Sequence, residues 1–278
     1  MSHSDPEQVE IRQAATVMLI DDRPDLQVYM MERHADIVFG GGMWVFPGGR
    51  VDSTDDPSSF AEFCLHRTDR EASALMQMSS GALTYYVAAI REAFEEAGIL
   101  LALDRNTGIP LDLSKPQAMS RFEAHRRDIN DSNRNFLELI EEENLILDVG
   151  SMHYIARWIT PVGPPRRYDT RFFITRMPVA QTPIHDDHEL VHAKWLAPTE
   201  ILRQFETGEM TLMSPTLRML RCLARFTSAD QVMAAAAANL PDERARVNSA
   251  GDIVLPGDTD YAQANENIEA GWVRLRPL

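Results

Sequence analysis

The chain has 278 residues, 44% of them hydrophobic, which suits a folded globular domain and excludes wholesale disorder. Its 42 acidic residues against 27 Lys and Arg give a formal charge of -15. That field repels a nucleic-acid polymer or an anionic membrane surface, yet admits a small phosphorylated substrate where a bound cation reverses the local sign. Cys64 and Cys222 stand far apart without paired-ligand spacing, so neither a disulfide framework nor a thiolate zinc site is expected. The start of the chain is polar and acidic, no apolar run approaches about 18 residues, and Arg276-Pro277-Leu278 matches no peroxisomal address, so a cytoplasmic protein is expected.

In chain order, the domain is expected to begin near residue 10, with β-rich runs at 14–20 and 26–31 separated by the turn residues Asp21-Asp22-Arg23-Pro24-Asp25. Glycines 40 to 42 precede a short strand at 43–46, which Pro47-Gly48-Gly49 ends. Residues 50–82 read as an insertion whose 60–78 stretch is compatible with a helix. The next helix, over 82–97, is the best-defined element: Leu83, Val87, Ile90 and Phe94 recur at helical spacing, and Gly98 follows as the capping residue. A second, polar insertion at 104–150 carries a helix around 136–143. Residues 154–160 and 170–176 read as a long hairpin, 192–196 as a strand, 199–207 as a helix and 215–238 as one or two more. Together these make one domain over 10–240, with a tail at 241–278 expected to pack on it or on a partner subunit of a homodimer.

The 82–97 helix places its apolar residues on one face and Glu92, Glu95 and Glu96 around the opposite side. Like charges at this spacing cost roughly 0.2–0.5 kcal/mol per pair. Anions in a last helical turn cost roughly 0.3–1 kcal/mol more. The arrangement has no local stability rationale, whereas a divalent cation such as Mg²⁺ or Mn²⁺ takes clustered oxygen ligands of this kind. A solvated acidic face is the alternative, and the helix by itself leaves the two balanced.

The run Arg91-Glu92-Ala93-Phe94-Glu95-Glu96-Ala97-Gly98-Ile99, with Phe46-Pro47-Gly48-Gly49 upstream, resembles the box of the Nudix hydrolases, Gly-x5-Glu-x7-Arg-Glu-U-x-Glu-Glu-x-Gly-U, U being a bulky apolar residue. The box separates its Gly and Arg by 14 positions and this chain by 42, so an insertion falls inside it. Counting back from the helix puts Leu83 at the first Glu. The split box, with Trp158-Ile159-Thr160-Pro161 and the segment Arg166-Arg167-Tyr168-Asp169-Thr170-Arg171-Phe172-Phe173, is similar to the branch that holds peroxisomal coenzyme A diphosphatases and their bacterial relatives. The resemblance implies an α/β fold, a Nudix-type α/β/α sandwich with a mixed sheet, here carrying helical insertions and C-terminal helices. It implies a hydrolase of diphosphate-linked small molecules, coenzyme A or acyl-CoA first, with NADH, ADP-ribose and dinucleoside polyphosphates open. Glu92, Glu95 and Glu96 would hold Mg²⁺ or Mn²⁺, Arg91 would orient them, and Glu96 or the loop residue Glu189 would serve as base.

Gly48 and Gly49 would admit a phosphate or metal close to the backbone. Arg33, Arg50, Arg167 and Arg171 are candidates for substrate phosphates, with ion pairing as the alternative, above all for Arg171 beside Asp169. Trp44 and Phe39 could stack a base but more often such residues pack. His188-Glu189-Leu190-Val191-His192 spells the HExxH zinc-protease pattern, which needs a helix; the alternation through Trp195 predicts a strand, in which the two histidines stand some 13 Å apart. Asp104-Arg105-Asn106-Thr107-Gly108 reads as a turn and not a calcium loop. A non-catalytic nucleotide-binding module is the remaining alternative, disfavoured by the intact helix acids.

Overall fold

Burial along the first strand decides the architecture. Ala15, Val17 and Leu19 face one side of the sheet, Met18 and Ile20 the other, and all five are fully buried, so the strand needs cover on both faces. The computed structural model, which describes residues 9–36, 40–184, 190–266 and 270–278, shows that cover as an α/β/α sandwich.

Strands β1 (Ile11–Asp22) and β2 (Leu26–Arg33) are followed by the short β3 (Trp44–Val45) and β4 (Gly48–Arg50). Helices α1 (Pro57–Phe60) and α2 (Asp69–Leu75) precede α3 (Leu83–Ala97), the acidic helix. Then come β5 (Ala102–Asp104), α4 (Pro116–Asn130), α5 (Phe136–Glu142) and β6 (Leu145–Leu147). The strands β7 (His153–Ile159), β8 (Arg167–Arg176) and β9 (Leu190–Leu196) lead into α6 (Pro198–Glu206), α7 (Ser214–Leu223) and α8 (Ala229–Ala237). Five short strands close the chain: β10 (Glu243–Arg244), β11 (Arg246–Val247), β12 (Ile253–Val254), β13 (Asn265–Glu266) and β14 (Ala270–Val273).

Among the described residues the main sheet runs β10-β14-β7-β8-β1-β2-β3, with β4 paired to β1 and β9 to β2. The β1–β8 pairing is parallel, from Ile11 opposite Arg167 to Ile20 opposite Arg176, and the other pairings of this sheet are antiparallel, so the sheet is mixed. One face packs on α3, α4 and α5 through Leu83, Val87, Ile90, Phe94, Phe122 and Phe136; the other packs on α6, α7 and α8. Burying side chains of this size stabilises by about 1.5–3 kcal/mol each. The apolar stripe of α3 therefore outweighs the repulsion among its acids, and the helix forms with the carboxylates in place.

The 60–78 stretch is not one helix. Asp56 caps α1 with Pro57 at its first turn, and a reciprocal capping box between Thr68 and Glu71 starts α2 afresh. Helix α4, which patterning did not predict, starts at Pro116 and buries Phe122, His125, Arg126 and Ile129, a stripe with as many polar as apolar members. The 190–196 segment is a strand, so the helix that a zinc protease would need is absent there; His188 and Glu189 lie outside the described residues. Asp104 Oδ1 accepts hydrogen bonds from the N–H groups of Asn106 and Thr107 and from the Thr107 hydroxyl, a self-satisfied turn.

The tail packs on this same domain. β14 extends the main sheet beside β7, and buried Arg274 donates to both carboxylate oxygens of Asp242 (3.0 and 2.8 Å) and to the Leu75 carbonyl at 3.0 Å. Arg274→Ala would strand Asp242, 12% exposed, without its counter-charge. The unfolding free energy is expected to fall by about 3–5 kcal/mol in urea titration; a change below about 0.5 kcal/mol would show that the Arg274–Asp242 pair contributes nothing to the fold.

Candidate active site

The acidic helix ends where its sequence says it should. Gly98 adopts φ +67°, its N–H bonds the Phe94 carbonyl at 2.9 Å, and the Ile99 N–H reaches back to Ala93 at 3.2 Å. The surroundings differ from a simple two-faced wheel. Tyr85, Tyr86, Ala88, Ala89 and Arg91 are buried along with the apolar stripe: β8 covers Tyr86 with Phe173 and Tyr85 with Arg171, and Asp55 covers Arg91. Glu92, Glu95 and Glu96 are only partly exposed.

Arg91 organises them. Its Nε and Nη2 donate to the two oxygens of Asp55 at 2.9 and 3.0 Å, Nη2 also donates to the Arg50 carbonyl at 2.8 Å, and Nη1 donates to Glu92 and Glu95 at 2.9 Å each. Burial alone would lower the Arg91 pKa; the Asp55 hydrogen bonds and the three surrounding carboxylates outweigh it and hold the guanidinium charged. Burial is also the main influence on the acids. It pushes Glu92 up to about 7 and raises Glu95, with Arg91 opposing the rise in both.

Strand β4 completes the floor. The Gly48 N–H donates to Glu96 Oε2 at 2.8 Å. A Cβ on Gly48 would meet the Ala15 carbonyl at 2.5 Å and Thr16 Cα at 2.6 Å, and one on Gly49 would meet the Glu92 carboxyl at 2.6 Å. Only glycine lets this strand pass between β1 and the acidic helix. From the second insertion, Arg126 donates to the carbonyls of Glu95 (2.8 Å) and Glu96 (3.1 Å), satisfying acceptors that the helix end leaves open. Tyr29, pushed up to about 12 mainly by burial, is within electrostatic reach of both Arg126 and Glu96.

The three glutamates open into a cleft of about 780 Å³ whose opposite wall is the α4–α5 turn, with Asn130, Asn133, Arg134 and Phe136, and whose rim carries Asp52 and Thr54. Arg91 and Arg134 are the cations of the lining; Arg33, Arg50, Arg167 and Arg171 are not part of it. Arg171, 3% exposed, is ion-paired with Asp169 and lies over the Tyr85 ring at 4.9 Å, so it serves the packing of α3 on the sheet. Arg167 Nε donates to the Thr160 carbonyl at 3.1 Å, Arg33 is half-buried at the end of β2, and Arg50 is exposed beside Gly49. Trp44 is buried in the opposite face of the sheet under Lys194, as packing. Glu189 and Phe39 lie outside the described residues.

The chain is similar to known proteins. The family model described as the NUDT19 Nudix domain matches residues 65–223, more than half of the chain. The chain is a Nudix hydrolase. The acyl-coenzyme A diphosphatase NUDT19 of Gallus gallus is 27% identical to it over 265 residues, covering 78% of this chain and 69% of that protein. Its Homo sapiens counterpart is 27% identical over 238 residues, covering 73% of this chain and 61% of that protein, so the chain spans between three-fifths and seven-tenths of these two relatives. A crystal structure of a Nudix hydrolase from Alicyclobacillus acidocaldarius superposes with a TM-score of 0.66 at 26% identity, over 82% of this chain and 97% of that one.

Counted forward from Gly49, the Nudix box reads Gly-x5-Asp, and the acid at its end is Asp55, the buried partner of Arg91. Leu83, which the backward count placed there, is a core residue 1% exposed. The insertion thus enters after the first acid of the box. Arg126 and Arg134 belong to the second insertion and Asp52 to the x5 stretch of the box, where the motif specifies no residue type.

The raised carboxylates make a pH prediction. The native state holds the protons of Glu92 and Glu95 more tightly than the unfolded chain does, so that contribution is full below about 4.5 and is lost as pH rises through about 7. The Tm of chelator-treated protein is expected to fall over this window, and Glu92→Gln to flatten the fall; an undiminished fall in the variant would remove Glu92 as its source.

Proposed function

We propose that this Nudix hydrolase cuts the diphosphate linkage of coenzyme A or an acyl-CoA, using a divalent cation held by Glu92, Glu95 and Glu96. The observation that carries it is the acidic face itself: three carboxylates oriented by one buried guanidinium and one backbone N–H, opening on a cleft large enough for a nucleotide-linked substrate. The names of the relatives choose coenzyme A among the diphosphate-linked candidates. NADH, ADP-ribose and dinucleoside polyphosphates carry the same linkage and are the competing substrates.

The donor set suits Mg²⁺ or Mn²⁺. Hard carboxylate oxygens line one wall, their protonated state is favoured by burial when no cation is near, and Gly49 leaves room that any side chain would take from Glu92. Among the described residues no three acidic, His or Cys groups already converge on a common point, Arg91 and Gly48 holding the glutamates to themselves. A bound divalent cation would supply electron withdrawal from a diphosphate oxygen and acidify a water molecule.

The chain's own groups would do the rest. Arg91 keeps Glu92 and Glu95 fixed, so their geometry is set before substrate arrives. Gly48 does the same for Glu96. Glu96 or Glu189 would take the proton from the attacking water.

Glu96→Gln is expected to reduce Mg²⁺- or Mn²⁺-dependent diphosphate hydrolysis to background while leaving the circular dichroism and Tm of the protein in place; wild-type turnover would overturn the site. The assay should offer coenzyme A, acyl-CoA, NADH, ADP-ribose and a dinucleoside polyphosphate, with product masses showing which bond breaks. For Glu189→Gln, a loss of about 100-fold with a flattened acid limb of the pH–rate profile is expected of a base. An unchanged profile would exclude that role.

A further inference from the structure

A second cavity of about 250 Å³ lies behind the end of the acidic helix, walled by Phe94, Leu113, Phe122 and Ile184, with Met119 and Thr182 at its mouth. Its lining is more apolar than that of the carboxylate cleft, with Ser114, Glu123 and Arg126 as its polar members: the rings of Phe94 and Phe122 meet edge to face at 6.4 Å, and Met119 is exposed to 41%. Apolar side chains left beside solvent around a pocket mark a place for an apolar ligand.

Two elements join this cavity to the active site. Phe94 and Gly98 of the α3 end line the cavity, while Glu95 and Glu96 between them line the cleft. Helix α4 contributes Met119, Phe122 and Arg126 to the cavity and Ile129 and Asn130 to the cleft. At about 1.5 Å per residue, the helix from Met119 to Asn130 spans about 16 Å. Arg126 stands at the junction, its guanidinium on the carbonyls of Glu95 and Glu96. A substrate with its diphosphate on the glutamates and a long flexible arm laid along α4 would bring the far end of that arm to the cavity.

We propose that this cavity is the subsite for the acyl chain of the substrate, and that it makes the enzyme select for chain length. The proposal rests on the coenzyme A reading above. A dry cavity of about 150 Å³ takes a benzene ring, so 250 Å³ accepts a chain of about six to eight carbons. Each methylene that leaves water for such a cavity improves kcat/KM by about fourfold. Longer chains overrun the walls and gain nothing further.

The test is kcat/KM for free coenzyme A and for its acetyl, butanoyl, hexanoyl, octanoyl and dodecanoyl thioesters, with wild type, Met119→Trp and Thr182→Trp. The two substitutions fill the mouth from opposite walls at exposed positions, and each variant is checked for a native Tm. Wild type is expected to climb steeply from acetyl to octanoyl and then level. In both variants the ratio of octanoyl to acetyl is expected to collapse at least tenfold. A flat wild-type series, or a ratio unchanged in both folded variants, overturns the subsite while leaving coenzyme A as substrate. Turnover of ADP-ribose or NADH with none of the coenzyme A species overturns the substrate reading, and the acyl subsite with it.

Discussion

The buried guanidinium of Arg91 is the interaction on which the site depends. Removing an arginine from water costs several kcal/mol unless it is fully paired, and here it is paired with Asp55, Glu92, Glu95 and the Arg50 carbonyl at 2.8–3.0 Å. The four partners come from three parts of the chain: Asp55 from the loop after β4, the Arg50 carbonyl from the strand itself, and Glu92 and Glu95 from the helix. The charge that tolerates burial is therefore also the clamp that holds two cation-binding candidates in register with the third. Glu96 lies outside this clamp and takes its orientation from the Gly48 N–H instead.

The sheet separates support from chemistry. Its α6–α8 face packs through an apolar layer, while the α3 face carries the carboxylates, the cleft they open on and the smaller apolar cavity. The antiparallel β1–β4 register, Ala15 opposite Gly49 and Thr16 opposite Gly48, fixes the height at which these glycines meet the acidic helix. The second insertion is a wall of the cleft and not an appendage. Asp55, just ahead of the first insertion, meets Arg91, and the second insertion lays α4 across the end of α3, where Arg126 answers the open carbonyls and joins Phe122 and Phe94 in lining an apolar cavity. Discrimination among diphosphates that present the same linkage then falls to surfaces outside the box.

The strands and the acidic helix were legible because each carries a local pattern: β-rich apolar runs bounded by turn residues in β1 and β2, the 83-87-90-94 stripe in α3, and Gly98 as its stop. Helix α4 was not, since its inward stripe is Phe122, His125, Arg126 and Ile129, and two of these four bury by pairing: His125 with Glu143 and Arg134, Arg126 with the α3 carbonyls. No hydrophobic period records such burial. Asp55 was legible in principle, six residues after Gly49, but an acid in a turn-rich segment looks like a surface residue until its partner is known.

By itself, then, the sequence determined the acidic helix, its stop and the glycine strand before it, because local spacing and backbone freedom are properties of neighbouring residues. Tertiary structure alone decided that the acids sit under cover, that Asp55 and not position 83 answers Arg91, and that Arg171 belongs to the packing beside Asp169 and Tyr85 while Arg126 and Arg134 belong to the two cavities. The reason is that charge burial at this site is settled between residues up to 41 positions apart, and which carboxylate meets which guanidinium follows from how the loop after β4 and the second insertion fold over the helix.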